Sequence, residues 1–174
     1  VIAVADRVRA EAPAALRQLA KLGVATVMLS GDNQQVVQAV AAQTGIIEAH
    51  GGLLPEDKLE RIIRLQSSGK TVAMVGDGVN DAPALADADV SLAMAAGADV
   101  AIEAADITLM HGDLMHAVDA IRLSRASLRK IRQNLLFAFI YNVMGIPLAA
   151  LGMLNPVIAG AAMAMSSVSV VSNS

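Results

Sequence analysis

The sequence predicts an α/β domain built on a partial parallel sheet, followed by a two-helix hairpin that spans a membrane. Three observations carry this expectation. Short β-branched runs alternate with helical patterns along the front of the chain, the order expected of βαβ units and a parallel sheet covered by helices. Every Lys and Arg lies at or before Arg132, no acid follows Asp119, and no side chain from Asn134 to Ser174 is charged. The string Gly76-Asp77-Gly78-Val79-Asn80-Asp81-Ala82-Pro83 stands directly after the clearest strand.

Taken in order, residues 1–4 read as a strand end. Pro13 suits a first helical position and starts a helix that runs to Leu22 and stops at Gly23. Residues 24–30 form a buried strand. A helix over 33–44 stops at Gly45, and another starts at Pro55 and runs to about Gln66. Residues 71–76 are the next strand, followed by a short helix near Ala84. Two weaker strands are expected over 90–93 and 106–109, with the loop containing Gly97 between them. A helix over 114–132 then carries Arg122, Arg125, Arg129, Lys130 and Arg132, and the positive-inside rule puts that cluster on the cytoplasmic face. Beyond it lie apolar runs of about 20 and about 15 residues, parted by Asn155-Pro156; the first is long enough to span a bilayer and the second is short. The rival reading, a buried hairpin of a soluble protein, is hard to reconcile with so long a charge-free stretch. The expected division is therefore 1–113, 114–133 and 134–174.

Composition narrows the function. At 174 residues the chain suffices for one domain of ordinary size. Apolar residues make up 55%, charged residues 17% and mean hydropathy is +0.56, greasier than a typical soluble domain. A net charge of −3 with 2% aromatics excludes a basic, stacking nucleic-acid surface. No Cys is present, so structural disulfides and thiolate metal sites are excluded from this stretch. The start, VIAVADRVR, has neither Met nor the pattern of a secretion signal, and the chain reads as a fragment.

The chemistry concentrates at strand ends. After the strand over 71–76, glycines allow a tight turn while Asp77, Asn80 and Asp81 face the ligand crevice, an oxygen-only set that suits magnesium. The bland reading is an Asx-rich turn. Ser30-Gly31-Asp32 ends another strand and can hold phosphate oxygens at the following helix start, although such a string alone is more often a helix cap. Lys58 stands in the first turn of its helix, where a cation needs an anionic partner such as phosphate.

Together these elements resemble the haloacid-dehalogenase-like phosphorylation domain of P-type ATPases. Asp6-Arg7-Val8-Arg9 is similar to the family's Asp-Pro-x-Lys/Arg hinge, with Arg7 in place of the Pro. Gly97-Ala98-Asp99-Val100-Ala101 and Ala105-Asp106-Ile107 are similar to its stretch before the last strands. The resemblance covers essentially the whole chain and implies a haloacid-dehalogenase-like, Rossmannoid sheet. It also implies that Asp77, with Asp81, coordinates Mg2+, that Asn80 and Asp81 support the phosphorylated site, and that Ser30 and Lys58 contact the phosphoryl group. Gly31 and Asp32 would lie in the same loop near ATP, and Asp6 at the hinge beside the nucleotide. Ser30 replaces the usual Thr and keeps the hydroxyl. The family's nucleophile, in an Asp-Lys-Thr-Gly-Thr motif, occurs nowhere in the sequence, and neither do the nucleotide-binding and actuator domains.

In the tail, Asn142 follows Tyr141 near the middle of the first apolar run, where an amide is costly unless it faces protein, water or a ligand. Met163, Ser166 and Ser167 are spaced i, i+3 and i+4, so one helix stripe carries a thioether and hydroxyls. Soft sulfur suits Cu(I). On the residues alone, ordinary helix packing is the stronger reading. Tyr141-Asn142 and the Met-x-x-Ser-Ser-Val-Ser-Val-Val stretch nevertheless look like the last two helices of the copper branch of heavy-metal P-type ATPases. That resemblance makes Tyr141, Asn142, Met163 and Ser167 the residues of the Cu(I) path, with Ag(I) the other ion of that class. Zinc pumps are expected to carry an Asp-Lys pair in the last helix, and no such pair is present. His50, His111 and His116 read as surface or capping residues.

The implied protein is an ATP-driven Cu(I) exporter integral to a bacterial inner or plasma membrane. Its front is cytoplasmic, and its partners are the lipid bilayer and the rest of the pump. The alternatives are a pump for another cation, which would want intramembrane carboxylates, and a non-catalytic membrane-anchored regulator. Because the nucleophile is missing, the isolated chain is expected to form no acyl phosphate when incubated with ATP and Mg2+; label retained on the denatured chain and released by hydroxylamine would overturn this.

Overall fold

The computed structural model describes residues 8–95, 97–152 and 155–173. The strand expected over 1–4 and Asp6, expected at a hinge, lie outside them. The chain divides into two compact units, Val1–Asp119 and Ala120–Ser174.

The first unit follows a strand–helix alternation. Helix α1 (Ala12–Lys21) opens with a proline in its first turn, and β1 (Val27–Leu29) follows. Helix α2 (Gln34–Thr44) is capped by Asn33, whose side chain accepts from the Val36 N–H at 3.0 Å. It connects to β2 (Glu48–His50), which pairs parallel with β1. Helix α3 (Pro55–Ser67) starts at a proline, and Asp57 accepts from the Leu54 N–H at 2.8 Å, satisfying a donor at the helix start. A second parallel sheet runs β3 (Ala73–Gly76), β4 (Val90–Met94) and β5 (Ile107–Leu109) in that order, with α4 (Ala82–Asp87) and α5 (Asp99–Glu103) as crossovers. The expected parallel α/β order is present, with one strand, β2, that the sequence pattern did not announce.

Strand pleat sorts the core. Met74 packs with Ile62, Ala84, Leu85 and Ala101, beneath α3, α4 and α5. Its neighbour Val75 points the other way and packs with Leu92, Leu109 and Ala117, so the start of α6 (Leu114–Ala150) covers the opposite face. Ile62, Leu85, Val37 and Val118 are fully buried. Each contributes about 1.5–3 kcal/mol through burial alone.

The second unit is a helical hairpin formed by the rear of α6 and by α7 (Pro156–Asn173). Asn155 caps α7 by accepting from the Val157 N–H at 2.9 Å. At the far end Asn173 accepts from Lys130 Nζ at 2.9 Å and donates to Asn134 Oδ1 at 2.7 Å, so α7 returns antiparallel to the level at which α6 loses its charges. The first apolar run falls largely in the rear of α6 and the second in α7, and α6 is continuous from Leu114 to Ala150. Among the described residues no helix is long and apolar enough to cross a membrane. The apolar part of α6 begins only past Arg132, and α7 carries several Ser residues and ends at an Asn.

One side-chain tie joins β4 to β5. Ser91 donates to Asp106 Oδ2 through its N–H at 2.9 Å and its hydroxyl at 2.8 Å, and the Asp106 N–H returns a bond to Ser91 Oγ at 2.9 Å. The Ser91 backbone bond first, then its hydroxyl, hold the Asp106 carboxyl below the usual carboxylate value of 3.8. A depressed folded value means stability that is present at neutral pH and lost as pH falls through that value. The stability difference between wild type and Asp106→Asn, read by denaturant unfolding, is therefore expected to be constant above about pH 5 and to shrink below it. A difference that grows toward acid would contradict this.

Candidate functional site

Four of the expected residues converge at the carboxyl ends of the strands. Ser30 follows β1, Asp77 follows β3, Lys58 lies in the first turn of α3, and Asp81 closes the turn that leads into α4. With Leu29 and Gly76 they line an open cleft of about 370 Å³, the size class of small-ligand sites. Gly31, Asp32 and Asn80 belong to the same loops but do not line it; Asn80 is exposed.

The centre of the cleft is an ion pair. Lys58 Nζ donates to Asp81 Oδ1 at 2.7 Å, with side-chain exposures of only 11% and 12%. The sequence demanded an anion beside Lys58, and the chain itself supplies one in Asp81. The other carboxylate oxygen, Oδ2, accepts from the N–H groups of Asp77 and Gly78, each at 3.3 Å. Asp81 is thus fully engaged as the anchor of the turn. Gly76 has no side chain to spare here, since a Cβ would lie 2.7 Å from Cβ of Asp81. Asp77 is exposed at the cleft.

The Ser30 loop is organised separately. Ser30 Oγ donates to Asp32 Oδ2 at 3.1 Å and accepts from the Asp32 N–H at 3.1 Å. Helix capping falls to Asn33, which leaves Ser30 at the cleft rather than at a helix end. Backbone bonds from the Ser30 N–H to His50 O at 2.9 Å and from the Leu53 N–H to Ser30 O at 3.0 Å fasten this loop to the segment that leads into α3 and Lys58. Gln34 adds to the fastening by accepting from the Gly51 N–H at 2.6 Å and donating to Ala49 O at 3.1 Å. Nothing in the spacing of Gln34 from β2 signals that role.

Mg2+ fits the donors on one count. Magnesium takes oxygen ligands, uses one or two carboxylates and leaves the remaining positions to water and substrate phosphates. Asp77 provides such a carboxylate, while no group of three His, Cys, Asp or Glu side chains able to hold a metal occurs among the described residues. His50 lies between Glu48 and Arg61, at 3.1 and 3.2 Å, and His116 bonds to Met110 O at 2.8 Å.

In the second unit, Tyr141 and Asn142 fall in α6, and Met163 and Ser167 in α7. Asn142 donates to Ala138 O one turn back at 2.9 Å. The side chains of Tyr141 and Met163 lie outside what is described.

Comparison with known proteins gives the family of the chain. The profile of the haloacid dehalogenase-like hydrolase family matches residues 1–89. Copper-exporting P-type ATPases of Staphylococcus aureus, strains JH9 and Newman, are 57% identical over 173 residues, which is 99% of this chain and 22% of theirs. The chain thus spans about a fifth of the length of these relatives. The crystal structure of a zinc-transporting PIB-type ATPase in the E2.Pi state superposes with a TM-score of 0.89 at 40% identity, covering 97% of this chain and 28% of that one. The catalytic CPx-ATPase domain CopB-B superposes at 0.57 with 42% identity, over 61% of this chain and 43% of that one. The chain belongs to the haloacid dehalogenase-like hydrolase family and, within it, is similar to the heavy-metal P-type ATPases.

Proposed function

We propose that this chain is the rear of a P-type ATPase that exports Cu(I), holding half of the phosphoryl-transfer site in its first unit and the last two membrane helices in its second. The observation that carries the reading is the cleft, where Lys58, Asp81, Ser30 and Asp77 meet at the carboxyl ends of parallel strands. An ammonium has three donors. Asp81 takes one, and the others remain to meet an anion entering the cleft, with Lys58 held in place before it arrives. Ser30 offers a hydroxyl beside the same space. Asp77 would hold magnesium, which when bound neutralises charge on the phosphate oxygens. Asn80, Gly31 and Asp32 shape the loops, and Asp6 belongs to the hinge toward ATP.

The missing half has a place to enter. Among the described residues β1 pairs only with β2, and β3 only with β4, so each leaves an edge free, and both contribute to the cleft wall. A strand bearing the phosphorylated aspartate, supplied by the rest of the pump, would pair there and deliver its carboxylate to Lys58 and Ser30.

For the tail, the reading is that residues 114–133 form a juxtamembrane helix at the cytoplasmic face and 134–174 cross the bilayer. Support comes from the absence of charge after Arg132 and from the Asn173 contacts with Lys130 and Asn134, which mark one polar end for both helices. A step of about ten residues, or roughly 15 Å, from that end along each helix brings positions 142 and 163 to a common depth. The bond from Asn142 to its own helix leaves the amide oxygen as the acceptor at that level. Copper as cargo is favoured by the 57% identity to copper exporters against 40% to the zinc pump.

A chimera in which this chain replaces the matching segment of the Staphylococcus aureus exporter tests the reading. Cu(I)-stimulated ATP hydrolysis is expected; stimulation by Zn(II) alone would overturn the cargo, and no hydrolysis the function. In that chimera Lys58→Met is expected to lower turnover at least about 100-fold. In the isolated chain the same change should cost about 3–5 kcal/mol in unfolding free energy, because it strands the Asp81 charge. For the metal path, Asn142→Leu with Met163→Leu should lower the Cu(I) bound per chimera at equilibrium dialysis, and unchanged stoichiometry would remove both residues from it.

A further inference from the structure

Asp77 is gripped by its backbone from two directions. Its N–H donates to Asp81 Oδ2 at 3.3 Å, within the GDGVND turn. Its carbonyl oxygen accepts from the Ala98 N–H at 2.8 Å, and Ala98 belongs to a different element, the loop that leaves β4. That loop is itself fixed, by the Gly97 N–H to Met94 O at 2.8 Å and by the Ala95 N–H to Leu109 O of β5 at 2.9 Å.

The approach is so close that position 97 has no room for a side chain. A Cβ on Gly97 would lie 2.6 Å from the Asp77 carbonyl oxygen, 2.9 Å from Asp77 Cα and 2.9 Å from Met94 O. All three are backbone atoms, so no side chain can swing aside. Two of them belong to Asp77, so relief of the clash requires either that Asp77 move or that the loop lift off its backbone.

We propose that Gly97 is a positioning residue for the cation carboxylate: by letting the Gly97–Ala98 loop seat directly on the Asp77 backbone, it fixes where that carboxylate stands in the cleft and thereby sets divalent-cation affinity. This rests on the reading of Asp77 as a magnesium ligand. Magnesium demands near-ideal geometry at about 2.0–2.1 Å, and a site tolerates displacements of only about 0.5 Å. A ligand whose peptide is held at both N–H and C=O meets that demand; one held at the N–H alone has a hinge. The loop carries no metal ligand of its own in this scheme.

The test uses the 174-residue chain in detergent micelles with Mn2+ as the probe, read by paramagnetic broadening of the Asp77 and Gly78 amide signals and by the free-ion electron paramagnetic resonance. Gly97→Ala is expected to weaken Mn2+ binding about tenfold or more. Gly45→Ala is the control for destabilisation, since Gly45 has φ +79° and nothing within 4 Å of its would-be Cβ; it should lower the thermal midpoint and leave Mn2+ affinity unchanged. Ala98→Pro provides a second route should Gly97→Ala fail to fold, because Ala98 already has φ −68° and the change removes the N–H that holds Asp77. It should weaken binding as Gly97→Ala does. Wild-type affinity in either folded variant, or an equal loss in Gly45→Ala, overturns the inference. Wild-type affinity in Asp77→Asn overturns instead the reading of Asp77 on which it rests.

Discussion

The Lys58–Asp81 ion pair is the constraint around which the first unit is arranged. Lys58 belongs to the helix that follows β2, and Asp81 to the turn that follows β3, so their 2.7 Å bond ties a segment leaving one parallel sheet to a segment leaving the other. Burying two charges is expensive, and it is repaid only where both are paired and the remaining lone pairs are satisfied. Here Asp81 Oδ2 takes the Asp77 and Gly78 N–H groups. The same carboxylate that neutralises Lys58 therefore folds the loop that presents Asp77. Removing it would release the Lys58 side chain and the turn that carries Asp77 together.

This economy divides labour among residues that look alike in the sequence. Asp77 and Asp81 are both carboxylates in one short motif, yet one is exposed at the cleft and the other is consumed by internal bonds. Asp32 and Asn33 are neighbours, yet the first holds the Ser30 hydroxyl and the second caps α2. Local hydrogen bonds, rather than residue type, decide which group remains for a ligand.

The elements legible in the sequence are those with strong punctuation: α1 and α3 begin at prolines, and β3 and β4 are apolar runs between loops. β2 escaped because Glu48-Ala49-His50 is short, polar and at the edge of its sheet, where neither alternation nor β-branching is required. The continuity of α6 escaped for another reason. The change from charged to apolar at Arg132 is a change of side-chain character and not a stop signal, and no Pro or Gly interrupts the helix until Gly145. In the site, residue types and strand ends pointed to Ser30, Lys58, Asp77 and Asp81. Their pairing could not be read, because Lys58 and Asp81 are joined only by tertiary packing and lie on no common periodicity. Gly97 was visible as part of a familiar stretch, but its contact with Asp77 is a matter of ångströms of space.

The Asn173 clasp has a consequence for how the tail can move. Helices faced with Ala, Gly and Ser offer many near-equal registers, since one small side chain packs much like the next. A single amide bound to Lys130 and Asn134 singles out one of them. Sliding α7 along α6 would break both of these bonds. The clasp therefore favours motion of the two helices as a pair over motion of either alone.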